Sequence, residues 1–438
     1  MPFAADSPLP RMRHVDVIPV EVQGRRAFYL RDPVAFAPEP LVLGTAGLFI
    51  VSQLDGRRTA DQVRGAALRQ FPGSDIGLAE IRRLLATLSK GCYLDDHVSA
   101  ERIARVHAEF ERAEVRPAWH AGTAYPQDRR ELATMLDRFF AAAPVLAAEA
   151  AVPVNSSHRL AAIVCPHIDL RAGGEIYPPA FRALAAADSG GPPIELYVIL
   201  GVAHNGGTEP GKSFAIACDK HYATPLGQAP TERLLIKEWS RRAGRDVTDQ
   251  QWLHRTEHSV EFPLLFLQYM QAHADLPSYA VVPVLLGGVD RYLLTGEHPL
   301  QAPEVATELA ALRAAVNASG KRALYLLSVD LAHIGPKFGH PEPIDDAAAA
   351  ACEQADRELL GYAERFDAEG FTRALHADRN CRNVDAVSGL FSLYPLLAGG
   401  ECRGSLLSYG QNRQPDTGSL VSYASMAFYR APADPEHG

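Results

Sequence analysis

Apolar positions along this chain fall into two patterns. Short continuous runs occupy Leu160–Val164, Leu196–Leu200, Phe214–Ala217, Tyr279–Leu286, Ala323–Ser328, Ser405–Tyr409 and Tyr423–Phe428. Runs of this length with no polar alternation predict strands buried on both faces. Between them, apolar residues recur every three to four positions, as helices require. Such stretches lie at Pro179–Ala187, Pro230–Ala243, Val260–His273, Pro303–Ser319, Asp345–Leu360, Ala368–His376 and Val387–Leu397. The alternation predicts an α/β fold, a central mixed or parallel sheet with helices on both faces.

The first hundred residues read differently. Val17–Val22 and Ala27–Leu30 are short strands, and Leu41–Leu54 reads as one helix ending at Asp55-Gly56. Thr59 and Gln62 form a capping box that opens a helix over Ala60–Gln70, and Phe71-Pro72-Gly73 stops it. Ile76, Leu78, Ile81, Leu84, Leu85 and Leu88 line one face of a further helix, with Gly91 as its C′ residue. Cys92-Tyr93-Leu94 returns as a strand or wing. This pattern predicts a small α+β, winged-helix-like domain over residues 1–98, then a charged helical connector over 99–115. The α/β domain would fill 116–438, opening with a helix that carries Leu132, Met135, Leu136, Phe139 and Phe140 on one face.

Length and charge narrow the function. A chain of 438 residues exceeds one small core. A net charge of −9, with no basic stripe, argues against nucleic acid as a partner. No apolar run approaches the ~20 residues needed to span a bilayer. The six cysteines form no CxxC pair and the N-terminus has no apolar leader core, so a reducing cytoplasm is expected. Cys165, Cys218, Cys352 and Cys402 sit in apolar or helical runs and are assigned to the core.

The chemistry gathers at strand ends. The first α/β strand runs into CPHIDLRAGG, delivering His167 and Asp169 to a loop. The next runs into GVAHNGG, delivering His204 and, in the same pocket, Asn205. A third runs into VDLAHIG, delivering Asp330 and His333, which share a face if that loop turns helically. Parallel strands bring such loops together, and imidazole with carboxylate or thiolate is the donor set of zinc and iron. Cys381 lies just before an apolar helix, where the helix dipole favours a thiolate. His254, Glu257 and His258 fit H-x-x-E-H, a zinc-hydrolase pattern. Pro263 argues that the helix starts only at Ser259, leaving 254–258 as loop.

The stretches AGTAYP (121–126), CPHIDLRAGG, LGVAHNGG, YATPLG (222–227), EHSVEFPLLFLQ (257–268), VPVLLG (282–287), LLSVDLAHIGPKFG (326–339) and NCRNVDAVSGL (380–390) together resemble the Memo family. This family includes the bacterial AmmeMemoRadiSam system B proteins, and the resemblance covers Arg116 onward. It implies a fold similar to class III extradiol dioxygenases and a metal site of His167, His204 and Cys381. His258 or His333 would move protons and Asp330 would stand beside the metal as a further catalytic residue, in a pocket with Asp169, Asn205, Glu257 and Asp385. Asp385 is an alternative to Cys381 as the third donor. Iron(II) is the implied ion, with copper or zinc as alternatives, and the implied activity is oxidoreductase, dioxygenase-like. A small-molecule or peptide substrate and radical SAM or AmmeMemoRadiSam system A partners follow from the same resemblance. In the N-terminal segment LRDP, LDGRRTADQV and YLDD resemble PqqD-like peptide-recognition domains. Two other readings stay open: a non-catalytic adaptor, and a zinc hydrolase using His254, Glu257 and His258.

Overall fold

A computed structural model describes residues 7–143, 158–188, 192–206, 213–274, 276–288, 292, 295, 297–377 and 384–431, with the side chains of 188 and 384–388 outside the description. The chain divides into two compact units, Met1–Ala113 and Glu114–Gly438.

The first unit opens with an antiparallel meander of β1 (Asp16–Val22), β2 (Arg25–Arg31) and β3 (Leu41–Gly44). Gln23 and Gly24, both at positive φ, make the two-residue turn that joins β1 to β2. Helices Thr45–Ser52, Ala60–Gln70, Leu78–Lys90 and His97–Arg112 follow. Thr59 and Gln62 close the capping box as the sequence predicts. Leu30, Val63, Ala67, Ile81, Leu85 and Leu88 form a core of this unit's own. Two local readings are corrected. Leu41–Leu54 is a strand and then a helix, because β2 recruits Leu41–Gly44 as its second neighbour. Gly91 does not take the left-handed conformation; Cys92 does, at φ 60°. Gly91 is instead set by space, since a Cβ there would lie 2.9 Å from the Tyr93 ring.

The second unit adds β4 (Val115–Arg116), β5 (Arg159–Cys165), β6 (Leu196–Val202), β7 (Ala215–Ala217), β8 (His221–Thr224), β9 (Gly227–Ala229), β10 (Ala280–Leu286), β11 (Ala323–Ser328), β12 (Asp330–Ile334), β13 (Cys402–Gln414) and β14 (Ser419–Arg430). The main sheet runs β12-β14-β5-β11-β6-β10-β7, with β13 on the far side of β14, and β4, β8 and β9 form a small separate sheet. Strands β5, β11, β6 and β10 are parallel neighbours, and antiparallel strands flank them. Ala162, Val198, Leu200, Val284 and Leu327 pack into a core that includes Trp239, Leu309 and Phe391 from the helices. The alternate residues Ile163, Ile199, Leu285 and Leu326 are equally buried, so both faces of the sheet are covered. The fold is therefore α/β with a mixed sheet.

Sequence reading missed β12. Val329 crosses over the end of β5, its N–H bonding Cys165 O at 3.0 Å. The chain then pairs with β14 instead of turning helically. The helix Glu261–His273 starts after residue 258, as Pro263 demands. No helix among the described residues is long and apolar enough to cross a membrane.

Candidate metal centre

Each histidine of the centre arrives from the C-terminal end of a parallel strand or from the loop beside it. β5 ends at Cys165, and Pro166 turns the chain so that the His167 N–H donates to Asp330 Oδ1 at 2.9 Å. Ile168 N–H donates to the same oxygen at 3.1 Å. Asp330, buried at the start of β12, thus pins the backbone of the His167 loop. β6 ends at Val202, and the next turn presents His204. Gly201 lies where a Cβ would meet Ser259 Oγ at 2.5 Å. That close approach lets Ser259 bond both the N–H and the carbonyl of Val202, at 3.0 Å each, tying β6 to the loop that carries His258.

His167, His204 and His258 converge. One nitrogen from each lies within 4.8 Å of the others. The His204 and His258 rings stack with centroids 4.9 Å apart, and His167 meets both edge-on, at 4.9 and 5.2 Å. His167 Nδ1 sits 3.0 Å from Ser328 O, so it carries the proton. His204 Nδ1 and His258 Nδ1 lie 3.0 and 3.1 Å from Glu257 Oε1. All three rings are therefore set with Nδ1 as donor and the lone pair on Nε2, the arrangement that outer-shell acceptors impose on metal-binding histidines. Two donors on one ion span up to about 4.2 Å, so a small ring tilt closes the set. The residues fit a metal ion.

Glu257 is the organiser. It is 3% exposed, and its carboxylate also accepts from the N–H groups of His258 and Ser259, at 2.8 and 3.0 Å. Burial opposes its charge, but His204 and the hydrogen bonds from both histidines outweigh burial and hold its carboxyl well below the usual range. Burial likewise pulls the His258 imidazole below its ordinary value, against Glu257. A neutral imidazole is the form a metal needs.

Around this sits a shell that sequence reading did not find. Fully buried Arg116 pairs with Glu261, donates to His254 O at 2.9 Å and to Glu257 O at 2.7 Å. Glu261 also accepts from the N–H of Trp119 and His120, at 3.1 and 2.9 Å, and from the Tyr125 hydroxyl. Burial works against the charges of Arg116 and Glu261, and each partner overrides it for the other. His120 rests 5.7 Å from His258, ring to ring, beside Phe262. The signals in the sequence were Glu261 at the start of a helix that follows a histidine and the AGTAYP stretch that carries Tyr125.

The other predicted residues are placed as follows. His254 stands apart from the cluster: Nε2 lies 2.9 Å from Ile216 O and Nδ1 bonds the Tyr222 hydroxyl. The H-x-x-E-H spacing therefore does not bring its two histidines to one ion. His333 packs edge-on against Phe338 in extended chain, so it does not share a helical face with Asp330. Asp169 caps the short helix Leu170–Gly173 and pairs with Arg171 at 2.8 Å; no hydrogen bond to a histidine of the cluster is found for it among the described residues. Burial works against its charge, and Arg171, with a smaller contribution from nearby His258, holds its carboxyl below the ordinary value. Asn205 follows His204 in the turn and is half-buried. Cys381 and the side chain of Asp385 fall outside the described residues.

Comparison with known proteins identifies the family. The family model "Memo-like protein" matches residues 116–427. A MEMO1 family protein of Aquifex aeolicus is 25% identical over 422 residues, 96% of this chain and 100% of its own length. One from Thermus thermophilus is 28% identical, covering 84% of this chain and 98% of its own. One from Thermococcus kodakarensis is 28% identical, covering 71% of this chain and 98% of its own. With its match spanning most of the length and all three histidines, the chain belongs to the Memo family.

Proposed function

We propose that His167, His204 and His258 hold a single first-row metal ion, iron(II) before copper or zinc, in an oxidoreductase-type centre. The observation that carries this is the convergence of three imidazoles whose Nδ1 groups are all occupied by protein acceptors. Neutral imidazole suits iron, copper and zinc alike. The sequence resemblance to a family related to non-haem iron dioxygenases puts iron first. When bound, such an ion supplies Lewis acidity and, for iron or copper, one-electron chemistry.

The chain's own residues supply the rest. Glu257 holds two rings and keeps their Nδ1 protons. Asp330 fixes the His167 loop by two backbone bonds. His204 and His258 keep about a third of their side-chain surface open, which gives a small-molecule or peptide substrate a face to approach. Cys381 and Asp385 enter as candidate further donors.

Metal analysis of protein purified without air tests the reading. One iron per chain is expected, lost in His167→Ala, His204→Ala and His258→Ala and retained in His254→Ala. Zinc lost only in His254→Ala would establish the hydrolase instead. No metal under any condition would leave an adaptor. Cys381→Ala and Asp385→Ala in the same assay assign any further donor.

A further inference from the structure

The opposite end of the sheet carries a feature away from the histidines. A cavity of about 370 Å³ opens where β5 and β11 begin and β14 ends. That volume falls in the range of small-molecule sites. Strand β11 runs from this cavity to Ser328 beside His167, so roughly 20 Å of strand separates it from the histidines.

Its lining is basic. Arg159, Lys321, Arg322 and Arg430 border it, and no carboxylate residue does. This stands out in a chain of net charge −9. Arg159 and Arg430 are direct cross-strand partners in the β5–β14 register. Like charges placed opposite one another across strands destabilise a sheet. Lys321 has its counter-ion in Glu232. Among the described residues, neither Arg159 nor Arg430 pairs with a carboxylate.

A structural task for these cations would be to satisfy helix ends. The helices Pro303–Ala318 and Val384–Leu396 both terminate at the cavity, with carbonyls outward. Arg313 already performs that task, donating to Pro395 O and Ala398 O at 3.3 and 3.2 Å. Each helix end contributes roughly half a negative charge. Arg159 and Arg430 alone, with Lys321 offset by Glu232, outweigh two such ends. The cavity is left with positive potential and an apolar wall of Tyr325, Val316 and Leu397.

We infer that this cavity binds a small phosphate-bearing molecule, its dianionic phosphate bridging Arg159 and Arg430 and its organic body against Tyr325. Guanidinium forks match phosphate oxygens two at a time. A bound dianion offsets the cross-strand repulsion between Arg159 and Arg430.

The test uses the full chain with His167→Ala, so that phosphate cannot act through the metal centre. Phenyl phosphate, inorganic phosphate and benzoate are titrated by calorimetry and by thermal melts. Saturable binding of phenyl phosphate is expected, tighter than benzoate. It should weaken at least ten-fold in Arg159→Gln and in Arg430→Gln. Without ligand those variants should melt at or above the parent temperature, because a repulsion has been removed; this also shows that they fold. The inference is overturned by an absence of saturable binding to the parent. It is equally overturned by binding that survives in the Arg159→Gln/Arg430→Gln double variant, or by benzoate binding as tightly as the phosphate ester.

Discussion

His254 shows how one side chain separates a motif from a site. Its neighbours in sequence suggest a zinc hydrolase, yet both ring nitrogens are consumed by Tyr222 and Ile216 in a fully buried pocket. Burial lowers its pKa to about 4, from 6.5. The folded protein then binds fewer protons at this position than the unfolded chain wherever the pH lies between those values. Stability from this group is complete above pH 6.5 and is lost as pH falls toward 4. The expected loss between pH 6.5 and 5 is about 2 kcal/mol. Urea unfolding across that window should show a steeper pH slope for the parent than for His254→Gln, and equal slopes would refute the assignment. Other single residues were readable from sequence for a plain reason. His167 and His204 each follow a continuous apolar run, and the chain has few ways to end a buried parallel strand except in a loop at the sheet's C-terminal edge. Glu257 and Arg116 were not readable as an organiser and its support. Their roles depend on partners up to 145 positions away, and no local spacing encodes that.

Among the elements, the helix Glu261–His273 and the loop before it matter most. Pro263 revealed where the helix begins, because a proline is tolerated in the first turn and not deeper. What the sequence could not reveal is how the segment from 254 to 258, the end of a 3-10 helix and the turn after it, is held. Arg116 reaches it from β4 and bonds two of its carbonyls while pairing with Glu261. Removing one member of a buried ion pair leaves the other charge uncompensated, at about 3–5 kcal/mol. Glu261→Gln is therefore expected to lose stability of that order in urea unfolding. It should also weaken metal binding, since His258 leaves this loop. A variant that kept parental stability would show that the pair carries no such load. Strand β12 was misread for a related reason. Five residues with one bulge carry little pattern of their own, and their extended form comes from pairing with β14.

At the scale of the whole molecule, the two units have separate cores. The family match begins at residue 116, and the Thermococcus relative spans nearly its whole length with 71% of this chain. A protein of residues 114–438 is therefore expected to fold cooperatively and to bind the same number of metal ions per chain as the full protein. Circular dichroism, denaturant unfolding and metal analysis of that fragment check this. A fragment that is unfolded, or folded without metal, would refute it. The main sheet also has a consequence for how the chain comes to be folded. β14 lies between β5 and β13, and it pairs Met426 with Val164, 262 positions earlier. As the chain grows from its N-terminus, β5 and the His167 loop emerge long before the strand that completes their edge. Contacts this distant in sequence make folding slow and leave strand edges open meanwhile. The His167 loop is thus among the earlier parts of its unit to be synthesised and among the last to become rigid.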